Sequence, residues 1–223
     1  MQHVSTKAGD APRRRLTPEV RRDEIVRVGA RLFGANAYNS VRMEAVAEAA
    51  GVSRALMYRY FPDKRALFVA VVTSLSDEML ARTAESIDPD AGAFAQLRTG
   101  VLGYLEQYEK HPHAAEAIVL GVGSTDPQLI RRDRHDNERL SELVVGRVCA
   151  MLDIDRSDKA VQLLPSVTHA WLAFTNEMIR QWLIDPNLGR DEVADHCAHA
   201  LLDVCGRIPG LPDHALTLLT DRS

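Results

Sequence analysis

The chain has little that belongs to a secreted or membrane protein. Cysteine is scarce, with three residues at Cys149, Cys197 and Cys205. That odd number without framework spacing reads as free thiols in a reducing cytoplasm, not as a disulfide scaffold. Long apolar runs are missing. The longest uncharged stretch, Ala160 to Asn176, has 17 residues interrupted by Gln, Pro, Ser, Thr, His and Asn, which excludes a bilayer-spanning helix. Arg13, Arg14 and Arg15 lead into no apolar segment with a cleavage site, so no signal peptide is expected. Strand signals are absent as well: there is no sustained alternation and no Asn-Gly or Asp-Gly hairpin turn, which argues against a β fold. No internal repeat or low-complexity tract stands out.

What is present suits one large domain or two modest ones: 223 residues, 46% hydrophobic and 26% charged, ample for a core. The net charge of −4 conceals an asymmetry, because residues 1–75 carry a net +6 and residues 76–223 a net −10. Such a distribution fits a basic head that meets a polyanion and an acidic body that does not. A solvated charged face without a partner is the competing reading.

Helical periodicity runs through the chain, and an all-α fold of about nine helices is expected. Residues 1–16 are polar and basic and read as a flexible arm. Thr17-Pro18-Glu19 is a helix start, with a capping Thr, Pro at the first position and an acid in the first turn. Ile25, Val28, Leu32 and Phe33 follow at helical spacing. Two short helices are predicted at about 41–50 and 53–60, then a longer one from Asp63. A helix-turn-helix head is assigned to 17–75 and a larger body to 76–209, its boundary a little before the break at Asp88-Pro89-Asp90. Body helices are predicted near 92–110, 113–121, 126–153, 157–184 and 189–208, with a loose tail at 210–223. Pro165, inside 157–184, is expected to kink that helix.

The chemistry concentrates in Val46-Ala47-Glu48-Ala49-Ala50-Gly51-Val52-Ser53. A short helix reaches a Gly that tolerates positive φ, then a Ser that caps a second short helix. Met57 and Phe61, at i and i+4, turn one face of that second helix inward. This is the helix-turn-helix arrangement, whose second helix enters the DNA major groove.

The run from Gly51-Val52-Ser53-Arg54-Ala55-Leu56-Met57-Tyr58-Arg59-Tyr60-Phe61 to Pro62-Asp63-Lys64-Arg65-Ala66-Leu67 resembles the DNA-binding signature of TetR-family transcriptional regulators. That pattern is approximately Ala-Gly-Val-Ser-x-Gly-x-Leu-Tyr-x-His-Phe-x-x-Lys-x-x-Leu. The resemblance covers about residues 21–70, including Arg31-Leu32-Phe33 and Tyr38. Ala55 stands where the family usually has Gly, and Tyr60 where it has His. The usual Thr of the preceding helix is replaced around Val41-Arg42, with Ser40 the nearest capping side chain.

The resemblance and the helix geometry together assign candidate DNA-binding roles. Arg54 is placed for guanine readout through O6 and N7, with Ala55 and Leu56 against base edges or methyls. Ser53, Tyr58, Arg59, Tyr60 and Lys64 would grip phosphates, and Arg42 would anchor the preceding helix. Arg13 to Arg15 would either reach the flanking minor groove or solvate a tail.

Further expectations concern the body. Leu164, Val167, Trp171, Phe174, Met178 and Trp182 form an apolar stripe, and so do Val193, Cys197, Leu201, Val204 and Ile208. The resemblance implies a homodimer through these last two long helices; filling of the protomer's own core is the alternative. It also implies a small effector in the body. Tyr104, Tyr108, Trp171 and Phe174 are candidate pocket walls, with His169 and Asn176 as polar groups, so an apolar or aromatic molecule is expected. The full expectation is a cytoplasmic, homodimeric DNA-binding regulator, a repressor by resemblance, that leaves a near-palindromic double-stranded operator when the effector binds. No enzyme activity, cofactor or metal is expected. His196 and His199 lack further ligands, and Asp153-x-Asp155-x-Ser157 lacks the Gly and Glu of a calcium loop. Gly121-Val122-Gly123-Ser124 is not a phosphate cradle. The rivals are a helical small-molecule-binding enzyme with a basic phosphate-binding head, and a DNA-binding protein without an effector.

Overall fold

The computed structural model describes residues 17–119, 125–185 and 187–211. The expected arm at 1–16, with Arg13 to Arg15, lies outside the described residues, as do Gly121 to Ser124 and the tail from residue 212. Nine α-helices and no strand occur among the described residues, so the fold is all-α. They are α1 (Pro18–Ala35), α2 (Met43–Ala49), α3 (Arg54–Tyr60), α4 (Lys64–Ser86) and α5 (Ala93–Lys110), followed by α6 (Pro112–Val119), α7 (Pro127–Met151), α8 (Leu164–Ile184) and α9 (Arg190–Cys205). No described helix is long and apolar enough to cross a membrane.

Local chemistry sets most helix ends. Thr17 caps α1, its Oγ1 accepting the Val20 N–H at 3.4 Å, and Pro18 takes the first turn, where a missing N–H costs nothing. Asp63 caps α4 through the Ala66 N–H at 2.7 Å. Asp153, at φ +50°, closes α7 with the Ile154 N–H on the Cys149 carbonyl at 3.0 Å. Ser40 does not cap α2. It ends a 3-10 turn at Tyr38–Ser40, and Arg42 occupies the N-cap without a side-chain bond.

Pro165 does not kink a long helix either. A 3-10 turn at Lys159–Leu163 precedes α8, and Pro165 falls in its first turn. The proline begins the helix rather than bending it, because its ring fits where no i−4 carbonyl precedes it.

Two apolar clusters organise the chain. One joins α1, α2, α3 and the first half of α4 around Ile25, Phe33, Met57, Leu67 and Phe68, with Ala117 of α6 and Leu129 of α7 added. The other joins α5, α7, α8 and α9 around Leu105, Leu152, Trp171, Cys197 and Leu201. The expected boundary at 75/76 falls inside α4, which runs from the first cluster into the wall of the body, where Met79 and Leu80 are buried. The apolar stripes of α8 and α9 divide. Leu164, Trp171, Val193, Cys197, Leu201 and Ile208 are buried within the protomer, while Phe174 and Val204 are 42% and 48% exposed.

Candidate DNA-binding surface and effector chamber

The α2–α3 corner is built by backbone geometry. Val52 N–H donates to the Ala47 carbonyl at 2.9 Å and Gly51 N–H to Glu48 at 3.0 Å, the paired bonds of a Schellman closure. Gly51 sits at φ +63°, a left-handed conformation that a Cβ would strain. Ser53 then caps α3, its Oγ accepting the Leu56 N–H at 3.2 Å. With Met57 and Phe61 at 0% and 2% exposure, the helical period turns Arg54, Ala55, Tyr58 and Arg59 outward. Leu56 and Tyr60 are half-buried at the edges of that face.

Glu44 of α2, which sequence reasoning missed, organises this face. The Arg54 guanidinium, 72% exposed, lies 3.3 Å from Glu44 Oε1 and 5.6 Å from the centre of the Tyr58 ring. The Tyr58 hydroxyl reaches the same Glu44 oxygen at 3.5 Å. Its signal in the sequence is weak, because its partners sit in the next helix and at no fixed helical spacing. Arg59 covers the Tyr60 ring at 5.8 Å, and Arg42 is exposed beside α2.

Two candidate phosphate ligands also work inside the fold. Lys64 Nζ donates to the Tyr38 carbonyl at 3.0 Å and to Asn39 at 3.3 Å, and it lies 4.6 Å from the Tyr38 ring centre. It therefore pins the Tyr38–Ser40 turn to the start of α4, with one of its three donors left over. Ser53 spends its acceptor on the cap and keeps its O–H for an outside partner.

A charged latch joins this head to the body. Asp126, the N-cap of α7, is 4% exposed. Its Oδ1 accepts the N–H groups of Gln128 at 2.8 Å and Leu129 at 3.3 Å. Arg65, in the first turn of α4, grips both carboxylate oxygens, Nη2 to Oδ1 at 3.0 Å and Nε to Oδ2, a bidentate pair. Burial alone would raise the Asp126 pKa, but Arg65 and the two N–H groups outweigh it and hold it below the ordinary value. A depressed carboxyl adds stability above its unfolded pKa of about 4 and loses it as pH falls through the lower folded value. Asp126→Ala should therefore melt at lower temperature at pH 7, with about 1 kcal/mol from the lost cap alone. The gap to the parent chain should close toward pH 2; a gap unchanged between pH 7 and pH 2 would refute the latch.

The body encloses two adjoining cavities that share Tyr104 and Asn176. The smaller, about 100 Å³, is apolar and lined by Leu80, Ile87, Val101, Trp171, Leu172 and Leu201. The larger, about 380 Å³, is bounded by Val72 and Met79 of α4, Tyr108 and His111 of α5, Leu129, Asp133 and Asp136 of α7, and Ile179 of α8. Of the six candidate pocket residues, Tyr104 and Asn176 line both cavities, Trp171 the smaller and Tyr108 the larger. His169 and Phe174 line neither and are exposed. The reason is the turn of α8: burying Thr168, Trp171, Leu172 and Thr175 puts His169 and Phe174 on the opposite side.

Burial shapes the titration of the chamber's aromatic groups. Burial pushes the Tyr108 phenol up to about 12 and Tyr104 well above its ordinary value, so both remain protonated at neutral pH. Burial also lowers the pKa of His111. This ring abuts α1 so closely that a Cβ on Gly34 would come 2.8 Å from its Nδ1, which places a chamber wall directly against the head. Trp171 Nε1 donates to the Cys197 carbonyl at 2.7 Å, tying α8 to α9. His196 and His199 each direct Nδ1 to a carbonyl of their own helix, at 2.7 and 2.8 Å.

Comparison with known proteins fits this arrangement. The protein-family model described as bacterial regulatory proteins, tetR family, matches residues 25–71, the segment that carries the helix-turn-helix. The HTH-type transcriptional activator FasR of Mycolicibacterium smegmatis is 22% identical over 130 residues, 58% of this chain and 59% of that protein. The HTH-type transcriptional regulator RutR of Escherichia coli is 28% identical over 120 residues, 52% of this chain and 56% of that protein. The matches thus span little more than half the length of these curated relatives. A tetR-family transcriptional regulator from Streptomyces coelicolor shares the fold with a TM-score of 0.70 at 21% identity, over 92% of this chain and 88% of that one. These relatives are regulators of transcription, not enzymes. The chain therefore carries a tetR-family DNA-binding head at 25–71, and its fold through the body is similar to that of a tetR-family transcriptional regulator.

Proposed function

We propose that the chain binds a near-palindromic operator as a homodimer, with one α3 in each of two successive major grooves, and that filling the body chamber changes the spacing of the two α3 helices. The observation that carries this reading is the outward face of α3. Arg54, Ala55, Tyr58 and Arg59 are exposed together beside a backbone corner that fixes their direction. Arg42, Ser53, Leu56, Tyr60 and Lys64 complete the candidate contact surface. In this reading residues 17–75 are the DNA-binding part and 76–209 the effector and dimer part, with α4 shared. Phe174 on α8 and Val204 on α9 are exposed and so are free to join an interface through those helices, which the family resemblance implies.

A chamber between helices that also touch the head supports effector control, because a ligand shifts an equilibrium only by binding one state better. Its walls suit a molecule with an apolar or aromatic body. Repression rests on the family resemblance. FasR is by name an activator, so transcription with effector-free protein decides the sign.

Selection from random duplexes with the purified protein tests the reading. A symmetric motif with half-sites roughly 34–36 Å apart, one helical turn, and affinity that falls steeply with salt are expected. A pool without symmetry, bound only at low salt, would overturn the dimeric regulator and favour the phosphate-binding alternative.

A further inference from the structure

We propose that the larger cavity is built for a protonated amine, seated on Asp136 and Asp133 of α7 with its apolar body against Tyr104 and Tyr108. This rests on the reading of the chamber as an effector site and names the chemistry of what enters it.

The observation that starts the argument is Asp136. The residue is 5% exposed. Its Oδ2 accepts from Arg132 Nε at 2.8 Å, but the buried Oδ1 has no partner. A buried carboxylate oxygen without a donor is costly, and native structures rarely leave one unsatisfied. Asp136 forms part of the cavity wall, so a donor entering the cavity arrives beside this carboxylate.

The charges around it select the sign of that donor. Both arginines in the wall are already engaged. Arg132 holds Asp136 and also Asp77 at 2.7 Å, and Arg180 clasps Glu177 at 2.8 and 2.6 Å. Unspent capacity therefore lies on the acidic side. Asp133, one turn before Asn137 and bonded to it at 3.2 Å, stands on the exposed rim of the cavity, and its pKa is raised by partial desolvation and then by the charge of Asp136. A like charge beside Asp133 disfavours its ionised form, and a cation placed between the two carboxylates relieves that repulsion. The tyrosine rings, 5.8 Å apart and tilted by 53°, add aromatic faces that attract an ammonium group. A carboxylate ligand would meet repulsion from Asp133 and Asp136.

The same network connects the site to the head. Arg132 bridges Asp136 to Asp77 of α4, and Arg139 shares Asp77 at 3.1 Å. An ammonium group on Asp136 competes with Arg132 for that carboxylate. The loosened arginine then changes the α7–α4 contact, and only three residues separate the end of α3 from the start of α4.

The test uses the full chain and matched trios. Benzyl, naphthylmethyl and octyl bodies are each offered as primary amine, alcohol and carboxylate at neutral pH, with thermal melting and calorimetry as readouts. The amine of at least one trio is expected to bind about tenfold tighter than its alcohol, the advantage of a charge-assisted bond, and its carboxylate weaker still. Asp136→Asn should reduce the amine's advantage to about threefold or less. The wild-type ratio needs no variant, and Asp133→Asn, at the cavity rim, gives a second measurement should Asp136→Asn fold poorly. An alcohol or carboxylate bound as tightly as its amine overturns the amine assignment and leaves effector control standing. Nine compounds without a melting shift or heat overturn both.

Discussion

Arg54→Ala is expected to lower affinity for the selected operator by about ten- to a hundredfold per half-site and to relax preference at one base position. In the proposed dimer the residue is presented twice, so the loss would compound across the full site. The basis is its placement: the guanidinium is 72% exposed at the first residue of α3, where groove-facing helices meet base edges. Glu44 holds it from one side and Tyr58 from beneath, which limits the rotamers it must give up on binding. Lys64→Ala should behave differently. It should weaken all duplexes alike, because phosphate contacts carry no sequence, and it should also lower the melting temperature, because the Tyr38 and Asn39 carbonyls lose their donor. Quantitative binding to the operator and to single-base variants checks both. Unchanged preference at every position in Arg54→Ala would remove it from readout.

Phe68→Ala is expected to cost about 3–5 kcal/mol of stability, out of the roughly 5–15 kcal/mol available to a folded protein. Phe68 is 0% exposed, with its ring 5.0 Å from Phe33 and 4.9 Å from Tyr38, both edge-on. Removing it leaves a hole among α1, the Tyr38–Ser40 turn and α4. That turn is also the platform on which Lys64 rests, so operator binding should fall although Phe68 touches no surface. Chemical denaturation followed by circular dichroism measures the loss. A cost below about 1 kcal/mol would mean that the site collapses freely and that the aromatic cluster does not hold the head together.

Much of the head was legible because its determinants lie close together in the chain. Thr17 and Pro18 begin α1, Gly51 takes the positive φ, Ser53 caps α3, and Met57 with Phe61 choose its buried face. Each acts on backbone within a few residues, where propensity and capping operate. Pro165 was misread for the same local reason. A proline in an apolar stretch signals an interruption, but whether it bends a helix or starts one depends on the preceding 3-10 turn, which packs against the start of α8.

The chamber was only partly legible. Periodicity placed aromatic residues on α5 and α8, yet Phe174 and His169 point away from the cavities while Tyr104 and Asn176 line both. A helix with apolar residues on two sides does not say which side faces its own core and which faces outward. The charged groups were harder still. Asp126 meets Arg65 across 61 positions, and Asp77 meets Arg132 across 55; neither pair leaves a local pattern.

Helix order, caps, the α2–α3 corner and the basic face of α3 therefore follow from short-range chemistry that acts wherever these residues occur. The head–body latch, the outward side of α8 and the unpartnered oxygen of Asp136 arise only when α4, α5, α7 and α8 pack together. Their partners meet through tertiary contact, and burial rather than residue type decides which carboxylates are left wanting a donor.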